Sequence, residues 1–226
     1  MTPRLQPASE TSALLRLMTW LSPAFPVGAF AFSHGLERAV GDRLVANRAD
    51  LEVWLIDLAT LGSLWNDAVI FAEATRRTEA GDLTELAELA AALAGGKERL
   101  AETIEQGTAF IAASHPWPRP VLAKLPASCP YPVAVGAIAA AHGIGLEPAL
   151  VAWLGSTLAN LVQAGVRLVP IGQTDAVKTL AALEPIVLEV GARASASSFD
   201  DLGSASIRAE IASLQHETQY SRLFRS

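Results

Sequence analysis

Apolar residues recur at helical spacing along almost the whole chain, and the runs are separated by prolines, glycines and capping residues. Thr11 is placed to N-cap a first helix, whose Leu14, Leu15, Leu17, Met18 and Leu21 crowd one side and which ends at Ser22-Pro23. From Asp50, the series Leu51, Trp54, Leu55, Leu58, Leu61 and Leu64 predicts another helix. After Asn66-Asp67, the run Val69, Ile70, Ala72 and Glu73 carries the pattern to Gly81, as two consecutive helices or one long kinked one. Asp82 is expected to cap LTELAELAAALA, which stops at Gly95-Gly96. Lys97 opens a helix through Ile104, Phe110 and Ile111 that ends before Pro116. Prolines at 116, 118, 120, 126, 130 and 132 mark the longest irregular stretch, a connection inside the domain or a surface arm. Helices are predicted again at 133–143 and 147–168; after a pause at Pro170-Ile171-Gly172 they continue at 173–183 and 185–194. A polar linker, 195–206, leads to a short amphipathic helix marked by Ile207, Ile211 and Leu214, which runs into the polar segment HETQYSRLFRS.

No unit of 20 to 50 residues repeats, so a solenoid is excluded. The pattern predicts an all-α fold, a single bundle-like domain of about eight to ten helices. It divides into a flexible arm at 1–10, a helical body at 11–213 and a tail at 214–226. Two segments stand apart. SPAFPVGAFAFSHG holds two prolines, two glycines and three phenylalanines, which predicts a shaped, apolar loop before a short helix over 33–40. Residues 148–166 carry no charge over about the length of a membrane-spanning helix. Ser156, Asn160 and Gln163, however, fall at i, i+4 and i+7 and form one polar stripe. That stripe suits a helix–helix or subunit contact better than lipid.

Composition narrows the function by exclusion. The chain is 51% hydrophobic and 18% charged, a balance that folds rather than staying disordered. Seventeen Lys and Arg stand against 23 Asp and Glu, for a net charge of −6, and the only adjacent basic pair of note is Arg76-Arg77. Without a phosphate-neutralising stripe, nucleic acid is not an expected partner. The single Cys129 cannot form an internal disulfide, which fits a reducing, cytoplasmic location, and MTPRLQPASE lacks the pattern of a secretory leader.

Catalytic motifs are absent. Gly95-Gly96-Lys97-Glu98 is the nearest approach to a P-loop, but it lacks the upstream glycine and the following Ser or Thr. No G-x-S-x-G, S-x-x-K or H-E-x-x-H occurs. His34, His115, His142 and His216 have no His or Cys at i+3 or i+4, so only tertiary folding could assemble a metal site from them and Cys129. His216, Glu217 and Tyr220 could pair an acid with a base on one helical turn. A solvated helix end accounts for the same residues. Asp175, after Gly172-Gln173-Thr174, reads as a capped helix start, and Arg167 as a clamp on nearby carbonyls or a carboxylate.

Three segments are more particular: SPAFPVGAFAFSHGLE, then YPVAVGAIAAAHGI with RLVPIGQTDA after it, and HETQYSRLFRS. Together, and in this order along the chain, they resemble the UreF family of urease accessory proteins. The resemblance implies a non-enzymatic, all-α homodimer that binds UreD (also called UreH). The pair would recruit the GTPase UreG for nickel insertion into the urease apoprotein, with no cofactor of its own. Nickel and GTP would be handled by the partner proteins.

By the same resemblance, partner contacts fall on Phe30, Ser33 and His34, on Ile207 and Ile211, and on His216, Glu217, Gln219, Tyr220, Ser221, Arg222, Leu223, Phe224 and Arg225. Arg222 matches a position that shapes the UreG-recruiting surface. Phe30 stands where many relatives carry Tyr, so its ring face is expected to meet a tail arginine by a cation–π contact. Leu223 and Phe224, an apolar pair among polar neighbours, predict a tail that folds on binding; docking of the tail back on its own body is the alternative. For the dimer interface, small-residue spacing and the family's dimeric habit point to Val151, Gly155, Ser156 and Ala159. A direct metal carrier using Cys129 and the histidines, or a small helical enzyme using His216, Glu217 or Tyr220, are the rival functions.

Overall fold

The computed structural model describes residues 9–78 and 83–226. Residues 1–8 of the expected arm at 1–10 and the expected cap at Asp82, with Gly81 before it, lie outside the described residues; the arm's last two residues, Ser9 and Glu10, belong to the start of the first helix. Ten α-helices occur among the described residues: α1 Glu10–Trp20, α2 Leu36–Gly41, α3 Arg48–Leu61, α4 Ser63–Arg77, α5 Thr84–Ala92, α6 Lys97–Ala113, α7 Tyr131–Ala141, α8 Leu146–Leu168, α9 Gln173–Ser195 and α10 Ile207–His216. They contain no strand, so the all-α expectation holds.

Local chemistry explains most boundaries. Ser9, not Thr11, caps α1, its hydroxyl accepting from the Ser12 amide, so the helix starts earlier than expected. The Asn47 side chain accepts from the amides of Ala49 and Asp50 at 2.9 and 3.1 Å and starts α3 two residues before Asp50. The long pattern from 50 onward is two helices, broken at Gly62. Gly172 stands at the N-cap of α9 with no side-chain cap, so neither Thr174 nor Asp175 takes the expected role.

One expectation is corrected by packing. The sequence pattern separates helices at 173–183 and 185–194, yet α9 runs through both, Pro185 included. Leu183, Val187, Val190 and Ala194 are buried on the face that α9 turns to α3, α4 and α8, and their burial holds the helix across a residue without an N–H. The polar linker 195–206 is strapped to α4. Trp65 Nε1 donates to the Asp201 carbonyl (2.8 Å), the Gly203 amide to Asn66 Oδ1 (2.9 Å), and Arg76 to the carbonyls of Ser195 and Ser197.

The core lies where α4 packs along α7 and α8 along α9, with α6 against α7. Trp20, Phe71, Phe110 and Trp153 are almost fully buried in it, linked through edge and tilted contacts that include Tyr131. The proline stretch is a connection inside the domain. Val121 and Cys129 are buried, and Arg119 Nε donates to the Ala141 carbonyl. Helix α8 passes the length and hydropathy test for a membrane span. Leu150, Trp153, Leu154, Leu158, Leu161 and Val162 nevertheless point into this core. The polar stripe is spent locally: Ser156 Oγ donates to the Leu21 carbonyl (2.7 Å) and Asn160 Nδ2 to the Ala29 carbonyl (2.8 Å). Gln163 is exposed.

Candidate functional site

The phenylalanine loop and the tail meet at one end of the bundle. Gly28 adopts φ +75°, and His34 (φ 53°) and Gly35 (φ +76°) are consecutive left-handed residues that swing the chain into α2. A side chain at Gly35 would collide with the Ser213 amide nitrogen at 2.7 Å, so α2 begins directly under α10. Loop and α8 enclose a cleft of about 610 Å³, and His34, Glu102, Gln106 and Tyr131 are among the groups that line it.

Helix α6 presents Glu98, Glu102 and Glu105 at i, i+4 and i+7, one acidic stripe. Each carboxylate has a distant partner. Glu98 Oε2 lies 2.6 Å from His216 Nδ1, while its other oxygen accepts from Arg222. Glu102 lies 2.6 Å from His34 Nε2, accepts from Gln106 Nε2 and from the Ser226 hydroxyl (3.0 Å), and faces Arg99, which also pairs with Asp67. Glu105 takes both terminal nitrogens of Arg225 at 2.6 and 2.7 Å, a bidentate pair. Burial alone would push the Glu102 carboxyl up. The charges of His34 and Arg99, and the hydrogen bonds from His34 and Ser226, outweigh it and hold the group below the usual glutamate range.

The tail is docked. Ser33 donates from both its amide (3.0 Å) and its hydroxyl to the Ser226 carbonyl, and the Arg225 amide donates to the Ala31 carbonyl (2.8 Å). Phe224 is 3% exposed, under the guanidinium of Arg167. The expectation of a tail that folds only on binding is therefore corrected. Burial of Phe224 and a set of charged hydrogen bonds order the segment on its own body, which was the alternative reading.

The predicted partner residues separate into two groups. Phe30, Ile207, Ile211, Tyr220, Ser221, Arg222, Leu223 and Arg225 are exposed. Ser33, His34, His216 and Phe224 are buried and can touch no partner in this state. Glu217 reaches α6 and accepts from the Lys97 amide (2.6 Å), capping that helix from outside. The solvated helix end read for His216 is thus corrected: its ring is fully buried between Glu98 and Glu37. With Tyr220 fully exposed, the three residues of the supposed acid–base cluster share no pocket. Phe30 does not take the expected cation–π role. Its ring is 71% exposed, and Arg225 lies over Phe32 instead, at 5.2 Å. Arg167 is the clamp it was read as, donating to the Phe30 carbonyl at 3.0 Å.

Gly155 has no atom within 4 Å of where a side chain would begin, so its face of α8 is open. Val151 packs against Gly191 of α9, and Ser156 is engaged by the loop. No group of three or more His, Cys, Asp or Glu that could hold a metal occurs among the described residues. Burial pushes the Cys129 thiol up to about 12, which keeps it in the weakly coordinating thiol form.

Sequence reading missed Glu37, Glu98, Glu102 and Glu105. The i, i+4, i+7 spacing of the three acids on α6, beside a tail that carries two arginines, was the available signal.

Comparison with known proteins agrees with the motifs. A family model described as UreF matches residues 45–184. The chain is 57% identical over 222 residues to the urease accessory protein UreF of Mesorhizobium japonicum, covering 98% of this chain and 99% of the relative. It is 55% identical over 217 residues to urease accessory protein UreF 1 of Brucella canis, and equally to UreF of Brucella ovis, covering 96% of this chain and 95% of each relative.

Proposed function

Because this chain belongs to the UreF family of urease accessory proteins, and is thus an accessory protein in urease maturation and not an enzyme, we propose that it acts as a cytoplasmic scaffold that binds UreD and, with it, recruits UreG for nickel insertion into the urease apoprotein. It does so as a homodimer, with no membrane or nucleic acid involved, and leaves nickel and GTP to its partners.

The supporting observation is the outward turn of α10. Ile207, Ile211 and Leu214 fall at i, i+4 and i+7 and are 65%, 48% and 50% exposed, while Ala209, Ala212 and His216 face the body. A helix that buries its small residues and shows its large apolar ones has a face suited to another protein. Leu223, 55% exposed, and the fully exposed Tyr220 extend that character into the tail.

The test is co-purification of the full chain with UreD. Ile211→Asp, which places a charge on that face without touching the core, is expected to abolish recovery of UreD and then of UreG, while the melting temperature stays within a few degrees. Undiminished recovery of UreD would reject α10 as the docking face. Nickel titration of the isolated chain separates a scaffold from a carrier, since tight stoichiometric binding by the lone protein contradicts the scaffold.

A further inference from the structure

One buried carboxylate holds two successive amides of the tail. Glu37, on α2, is 9% exposed. Its Oε1 accepts from the Leu223 amide at 2.7 Å; its Oε2 accepts from the Phe224 amide at 2.8 Å and lies 3.2 Å from His216 Nε2. The carboxylate thus spends its hydrogen bonds on α10 and the tail, 179 to 187 residues away in the chain.

The connections continue. The other ring nitrogen of His216 meets Glu98, whose second oxygen takes Arg222. Tail amides, Glu37, His216, Glu98 and Arg222 therefore form one closed chain of polar contacts across α2, α10, α6 and the tail.

We propose that Glu37 is a positioning residue for partner docking: by holding two successive tail amides it sets the register in which Leu223 faces out and Phe224 faces in. The two side chains are 55% and 3% exposed, although they are adjacent. A slip of one residue would bury Leu223 and expose Phe224. The Phe224 amide would lose its acceptor, which a buried N–H tolerates poorly. The register also fixes where Arg222 emerges. This inference rests on the docking role proposed above for the tail and α10.

The test uses the full chain with Glu37→Gln, which keeps the volume but loses the charge and one acceptor. Two quantities are read: amide hydrogen exchange at Leu223 and Phe224, and the association rate with UreD. Exchange at these two amides is expected to rise nearly to the rate of an unprotected amide, with α4 and α7 still protected. Association should slow about tenfold or more at a nearly unchanged dissociation rate, because unprotected amides belong to a tail that is mostly unseated and only the seated fraction binds. General destabilisation would not single out two amides.

Wild-type exchange at 223 and 224 in the folded variant would overturn the proposal, and so would freed amides with an undiminished association rate. If Glu37→Gln loses protection in α4 and α7 as well, Arg222→Gln, at the exposed end of the same network, decides by the same two readings. Leu223→Asp separates the two ideas. Normal UreD binding by that variant, with the tail amides still protected, would sink the docking role of the tail and leave the seat on Glu37 standing.

Discussion

The guanidinium of Arg167, near the end of α8, lies over the ring of Phe224 in the tail, 4.2 Å from its centroid. The same group donates to the Phe30 carbonyl, so one side chain ties the phenylalanine loop and the tail to the body. A cation–π contact of this kind contributes about 0.5 to 2 kcal/mol. Arg167→Ala is expected to raise hydrogen exchange at the Phe224 amide and in the loop together, with a loss of about 1 to 2 kcal/mol in urea unfolding. Arg167→Lys should recover part of this, because an ammonium keeps the charge but not the planar face.

Gly107 of α6 faces the Cys129 carbonyl so closely that any side chain there would overlap it. Gly107→Ala must push apart α6 and the strap leading into α7, at a cost of about 3 kcal/mol or more. Gly155 is the contrasting case, with open space around it. Gly155→Ala should be neutral or raise stability by up to about 1 kcal/mol, since alanine is the better helix former. Melting curves of the two variants check both expectations. Gly155→Trp, measured by light scattering, tests the dimer face: a dimer that persists unchanged removes α8 from it.

Acid should destabilise the protein through two groups. His142, packed against Trp20, is held down to about 4 by burial and by the charges of Arg119 and Arg16. Between its ordinary value of 6.5 and about 4, the unfolded chain takes up a proton that the folded one refuses, so stability falls with pH by up to about 3 kcal/mol. Glu102 has the depressed carboxylate pattern. Its contribution is complete above the unfolded value near 4.5 and disappears as pH drops through the lower folded value. Urea unfolding at pH 7, 5.5 and 4.5 should show this decline, and His142→Gln should flatten the part between 6.5 and 4.5.

Pro185 sits on the exposed side of α9, inside a helix that packing maintains. Pro185→Ala restores the missing N–H and relieves the ring's clash with the preceding turn. A gain of about 1 to 3 kcal/mol is expected, measured as a higher denaturant midpoint at unchanged slope. A loss of stability would mean that proline at this position suits the path α9 takes along α8.

Legibility followed the range of the interactions. The helices were readable because hydrophobic period, caps and glycine stops act within a few residues: Gly95-Gly96 sits where the local pattern puts a boundary, whereas the local pattern starts α3 at Asp50 rather than after Asn47 and sets the next break after Asn66-Asp67 rather than at Gly62. The family motifs were equally visible. The misreadings came from residues whose partners are far away. The separation expected between 183 and 185 is absent because Leu183 and Val187 are buried against other helices, a burial that cannot be seen locally. His216 looked solvated because Glu37 and Glu98 lie more than a hundred residues off.

The order of residues alone determined an all-helical body, its principal breaks and its family, since these depend on short-range periodicity and on motifs that need no partner to be read. Only the tertiary structure decided that the tail is docked, that Glu37 accepts from two of its amides, that α10 turns its large apolar residues outward, and that His34 and Glu102 pair in the interior. Those outcomes depend on which charges and faces meet once the chain closes on itself. A carboxylate's worth is set by the donors that desolvate with it: those of Glu37 arrive from the far end of the polypeptide, and two of the four around Glu102, His34 and Ser226, come from distant parts of the chain.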